Sequence, residues 1–166
     1  MRKILVSSGA VVLVSLVCAA TASAQTTSST TFDVSITIEN SCTVAVDDLS
    51  FGAVTDLTAA VPASTTGTVT CTATAPVAVS FDAGTGGTST FAGRQMASGA
   101  NTIDFNLYRD APRTEILGDA TGGTVTIGLT STGGADGFTV YGQTVAAQSA
   151  KPPSTYTSII TATVTF

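Results

Sequence analysis

Apolar residues recur at every second position along most of this chain, and that period decides what it can fold into. Phe32, Val34, Ile36 and Ile38 alternate with polar residues near the front. Val77, Val79 and Phe81 follow, then Ile103, Phe105 and Leu107, then Val125, Ile127 and Leu129. A strand sends successive side chains to opposite faces, so this pattern marks strands with one buried face. No stretch beyond residue 32 shows the 3.6-residue repeat of an amphipathic helix. Threonine supplies 31 of the 142 residues after Ala24, and its branched Cβ favours extended backbone. The expectation is an all-β, antiparallel sandwich.

Strands are expected at 32–38, 66–73, 76–81, 101–108, 124–129 and 138–147, with a last one from Tyr156 to Phe166. The connections are rich in glycine: "GTGG" at 84–87, "TGGT" at 121–124 and "TGGADG" at 132–137. "GTGG" lacks the following lysine and helix of a phosphate loop and reads as a hairpin turn.

Residues 1–24 read as a secretory signal peptide. Arg2 and Lys3 precede a short uncharged apolar run, and Ala22-Ser23-Ala24 supplies the small residues of a cleavage site. Cys18 follows Val17, too bulky for lipoprotein processing, and should leave with the signal. A membrane anchor is not expected after cleavage. The remaining 142 residues give room for one domain. They carry four basic residues against eleven acidic ones, a net charge of −7, which argues against nucleic acid as a partner.

Cys42 and Cys71 remain. In a secreted chain two cysteines allow one disulfide, and zinc would lack ligands because histidine is absent. The 28 enclosed residues correspond to about 3.6 kcal/mol in the chain-entropy model. The missing histidine also removes Ser–His and Cys–His nucleophile pairs. The acids are mostly single, and Asp47-Asp48, as strand neighbours, would point to opposite faces. Asp136 alone is too little for calcium. No catalytic residue, cofactor or metal is expected.

Several runs together carry a resemblance: "FDVSITIENSCTV" (32–44), "LSFGAV" (49–54), "GTVTCT" (67–72), "GRQM" (93–96), "IDFNLYRDAPRTEILG" (103–118), "VYGQTVAAQ" (140–148) and "TYTSIITATVTF" (155–166). In this order they resemble the spore coat protein U domain family, shared by subunits of archaic, Csu-type chaperone–usher pili. Where that family often has Gly before and Asp after the C-terminal tyrosine, this chain has Ser154 and Ser158 around Tyr156. In "LYRDA", Leu107 reads as core, and Arg109 with Asp110 as a pair closing the turn.

The resemblance implies an immunoglobulin-like sandwich lacking one strand. Residues 25–39 would be a flexible leader and donor strand, and 40–166 the receiving domain. Phe32, Val34, Ile36 and Ile38 would fill a neighbour's groove, bordered by Tyr156, Ile160, Ala162, Val164 and Phe166, with no strand after Phe166 to cover that edge. Burying four such donor side chains offers roughly 6–12 kcal/mol of gross transfer free energy. The implied partners are a periplasmic pilus chaperone, an outer-membrane usher and neighbouring copies in a homopolymer. The implied place is a cell-surface pilus, reached through the periplasm and supporting adhesion and biofilm formation. Three alternatives stay open: 32–38 as the domain's own first strand, a spore or cell-surface coat protein, and a monomeric carbohydrate-binding module.

Overall fold

In "PVAVSF" the three apolar side chains at alternate positions are all buried, and the strand pairs on both sides. This is β3 (Pro76–Phe81), the centre of a three-stranded sheet between β6 (Ile127–Thr130) and β8 (Ala162–Thr165). The other sheet has five strands in the order β1 (Cys42–Val46), β2 (Pro62–Cys71), β7 (Ala135–Thr144), β5 (Asn101–Tyr108) and β4 (Arg94–Ser98). Every ladder is antiparallel. The computed structural model describes residues 25–148 and 150–166, so the expected signal peptide lies outside the described residues. No helix occurs among them. Residues 37–166 form one compact unit.

Val69, Val79, Leu117 and Val140 are essentially sealed from solvent, and Phe81, Phe105, Leu107 and Ile127 complete the core between the sheets. Cys42 and Cys71 are bonded, as expected. They stand directly opposite each other in the β1–β2 ladder, 4.1 Å apart at Cα. The neighbouring pair explains the spacing. The Thr72 amide donates to the Ser41 carbonyl at 2.9 Å, which makes 42–71 the close, non-hydrogen-bonded pair of the ladder.

Two expectations are corrected. "GTGG" is not a hairpin turn, because β3 and β4 belong to different sheets and residues 82–93 cross between them. Gly86 is needed there because a Cβ would collide with the Gln95 carbonyl oxygen. The pair at the end of "LYRDA" is also different. Arg109 bonds Glu115, while the Asp110 carboxylate accepts the amides of Thr114 and Glu115. "TGGT" is a tight turn: Gly122 and Gly123 both have positive φ, and the Thr124 amide donates to the Thr121 carbonyl at 2.9 Å.

Candidate functional site

A cleft of about 1440 Å³ opens between the segment after β1, residues 46–58, and the segment 150–162 leading into β8. Its floor is core: Phe81, Phe105 and Val140. Leu49 and Phe51 form one wall, and Gly142 lets them approach β7, since a Cβ there would press on both side chains. Tyr156, Ile160 and Ala162 form the other wall.

The backbone gives that second wall its character. The Asp82 amide donates to the Thr161 carbonyl at 3.0 Å, and the Thr161 amide donates to the Asp82 carboxylate at 2.9 Å. Thr85 holds Ile159 through its amide and hydroxyl, and Thr157 exchanges both bonds with Ala97 of β4. Odd-numbered residues therefore spend their backbone groups toward β3, the 82–85 loop and β4. In an antiparallel ladder the even-numbered ones face the opposite edge. Ile160, Ala162 and Val164 thus combine inward side chains with a backbone edge directed away from β3, and β8 is an edge strand.

Of the residues assigned to this border from sequence, Tyr156, Ile160 and Ala162 line the cleft and Val164 packs against the core beside it. Phe166 is 55% exposed and does not line it. The alternation of exposed and half-buried side chains does run from Tyr156 to Thr165, but ladder pairing is confined to Ala162–Thr165 because loop residues hold the part before it. Leu49 and Phe51 were missed as a wall. Their signal was a short alternation ending at Gly52, inside "LSFGAV".

Residues 25–41 carry no strand; the ladders begin at Cys42. Phe32, Val34, Ile36 and Ile38 are 83 to 86% exposed. Four large apolar side chains in one exposed run are unusual for a surface. Close behind them, the Asn40 side-chain oxygen accepts the Ala73 amide at 3.1 Å and the Thr72 hydroxyl at 3.2 Å, fixing the chain at the entrance to β1.

The cleft rim is charged unevenly. Asp47, Asp48 and Asp56 lie on the 46–58 wall, and Lys151 on the other. The Thr58 hydroxyl and amide donate to Asp56 and hold its carboxyl below the usual carboxylate range. No group of three or more potential metal ligands occurs among the described residues.

A buried cation that sequence reasoning passed over lies behind the cleft wall. Arg94, at the start of β4, is 0% exposed. Its guanidinium donates to the Asp82 carbonyl through Nε at 3.1 Å and Nη2 at 2.8 Å, to the Leu117 carbonyl at 2.8 Å, and to Asn106 Oδ1 at 2.7 Å. Burial pulls its pKa down to about 10, partly offset by the nearby Asp82 charge. Asp82 is also the residue that holds Thr161, so Arg94 braces the strand at the cleft edge from behind.

Two comparisons place this architecture among known proteins, and a third finds nothing. The family model of the Spore Coat Protein U domain matches residues 28–163. A sequence search of curated proteins finds no match. By structure, the chain is similar to a chain of the CsuC–CsuE chaperone–tip adhesion subunit pre-assembly complex from archaic chaperone-usher Csu pili of Acinetobacter baumannii, with a TM-score of 0.57 and 16% identity. That match covers 78% of this chain and 40% of that chain, so this chain spans well under half of its length. With the family model matching most of its length, the chain belongs to the Spore Coat Protein U domain family.

Proposed function

We propose that this protein is a structural subunit of a chaperone–usher pilus of the archaic type, joined to its neighbours by donor-strand exchange. Residues 32–38 of one copy enter the cleft of the next and pair with the β8 edge, a form of β-augmentation. Residues 25–39 act as leader and donor, and 40–166 as receiving domain. Before assembly a periplasmic chaperone covers the same cleft, and an outer-membrane usher accepts the subunit. The fibre stands on the cell surface and supports adhesion and biofilm formation. No catalytic role is assigned.

One observation carries the reading: a single chain holds both an apolar cleft beside an edge strand and an exposed apolar segment of period two. Family membership and the fold of the Csu pilus complex agree with it. An unfilled cleft of this kind is an aggregation hazard, which is why a chaperone is expected.

The period of two supplies its own control. In a donor strand Ile36 faces the neighbour's groove and Ser35 faces outward. Ile36→Asp would bury an unpaired carboxylate, costing several kcal/mol, whereas Ser35→Asp keeps its charge hydrated. The expected outcome is that both variants are secreted and bind chaperone, Ser35→Asp forms fibres seen by electron microscopy, and Ile36→Asp does not. Equal polymerisation of the two would overturn the proposal, as would failure of Ile36→Asp to fold.

A further inference from the structure

We infer that Lys151 is the residue by which a cleft recognises the donor segment of another copy of this chain, pairing with Glu39 and so fixing the direction and register of insertion. The inference rests on the donor-strand reading above.

Lys151 is singled out by what the other cations do. Among the described residues Arg94 is buried on carbonyls, Arg109 bonds Glu115, and Arg113 donates to the Gly142 carbonyl and stacks over Tyr141. Lys151 lines the cleft and makes no ion pair or hydrogen bond of that kind with any described residue. The backbone that follows it is held in place. The Tyr156 hydroxyl donates to the Pro152 carbonyl at 2.9 Å, and Ser154 bonds Ser98 of β4 at 2.6 Å, holding 152–156 folded back at the Tyr156 end of the wall.

The donor segment is bounded by charge: Asp33 stands near its front and Glu39 directly behind Ile38, both exposed. Every ladder of the fold is antiparallel, and an antiparallel donor on the β8 edge runs from Val164 back toward Tyr156. Three two-residue steps separate Phe32 from Ile38, and three separate Val164 from Ser158. Matching inward positions sets Phe32 against Val164, Val34 against Ala162 and Ile36 against Ile160. Ile38 arrives inward at the Tyr156 end, and Glu39 follows on the outward face, at the rim where Lys151 stands. A parallel donor would bring Asp33 there instead. The opposite wall, with Asp47, Asp48 and Asp56, repels either acid and leaves Lys151 as the attractive partner.

The test uses the full secreted chain, 25–166, kept dilute, and a fluorescent peptide of residues 30–40. Lys151→Glu in the chain, or Glu39→Lys in the peptide, should each weaken binding about 3- to 10-fold at low salt, an effect that fades toward about 1 M salt. The two changes together should restore affinity to within about twofold of the unaltered pair. If the double change is no better than the sum of the singles, the inference is overturned while peptide binding leaves the donor-strand reading standing. If Asp33→Lys rather than Glu39→Lys rescues Lys151→Glu, the direction is reversed and the inference fails. If the unaltered peptide does not bind at all, the donor-strand reading falls, and this inference with it.

Discussion

An arginine in a dry core costs solvation unless each donor finds an acceptor, and Arg94 finds four contacts on Asp82, Leu117 and Asn106. These acceptors lie on different elements: Asp82 just past β3, Leu117 in the connection after β5, and Asn106 in β5. Asn106 in turn donates to the carbonyls of Phe91 and Ala92, so one side-chain cluster ties the crossing loop to both sheets. Arg94→Met would remove the buried cation but leave the Asp82 and Leu117 carbonyls without their donors, each at about 1–3 kcal/mol, while Asn106 Oδ1 keeps the Leu107 amide at 2.9 Å. The net loss expected is about 2–4 kcal/mol, read as a lower denaturation midpoint. Arg94→Lys should recover only part of it, because one ammonium cannot reproduce the planar fork. An Arg94→Met chain as stable as the original would show the cluster to be incidental.

Among the elements, β3 and β5 were legible to the residue because alternating apolar side chains bury one face of each. β4 was not. Its fully buried position is an arginine, and Met96 is the one large apolar residue that shares that face, so "RQMAS" shows no apolar alternation. β2 begins at Pro62, before the alternation expected from residue 66, because β7 pairs with it along its whole length. The cleft was half legible. The Tyr156–Val164 face could be read from period two, but the opposing wall is irregular backbone, and only folding brings Leu49 and Phe51 to it. The disulfide was legible from counting alone, and its effect is local to β1. That strand has a single ladder partner, so reduction should free the edge of the sheet. Cys42→Ser with Cys71→Ser is expected to cost up to about 3.6 kcal/mol, measured by denaturant unfolding beside the oxidised chain. No change in midpoint would mean that the β1–β2 ladder suffices without it.

For the whole molecule, the proposed donor-strand exchange would divide one sandwich between two copies, and a fibre built that way would be a chain of mechanical links. In such a fibre, tension from one neighbour would enter along residues 32–38, pass Glu39 and reach Asn40, which side-chain bonds to Thr72 and Ala73 already grip. Two residues later it meets Cys42, the first residue of β1, bonded to the last residue of β2. A strand pulled from its end normally peels away one hydrogen-bonded pair at a time. Here the force would cross at once, through a covalent bond, into β2, which is paired on both sides, so β1 could not leave without β2. The bond at the doorway of the domain would therefore keep β1 from peeling away alone. Single-molecule stretching of linked copies should show the rupture force drop on addition of reductant, and an unchanged force would mean that the load takes another route.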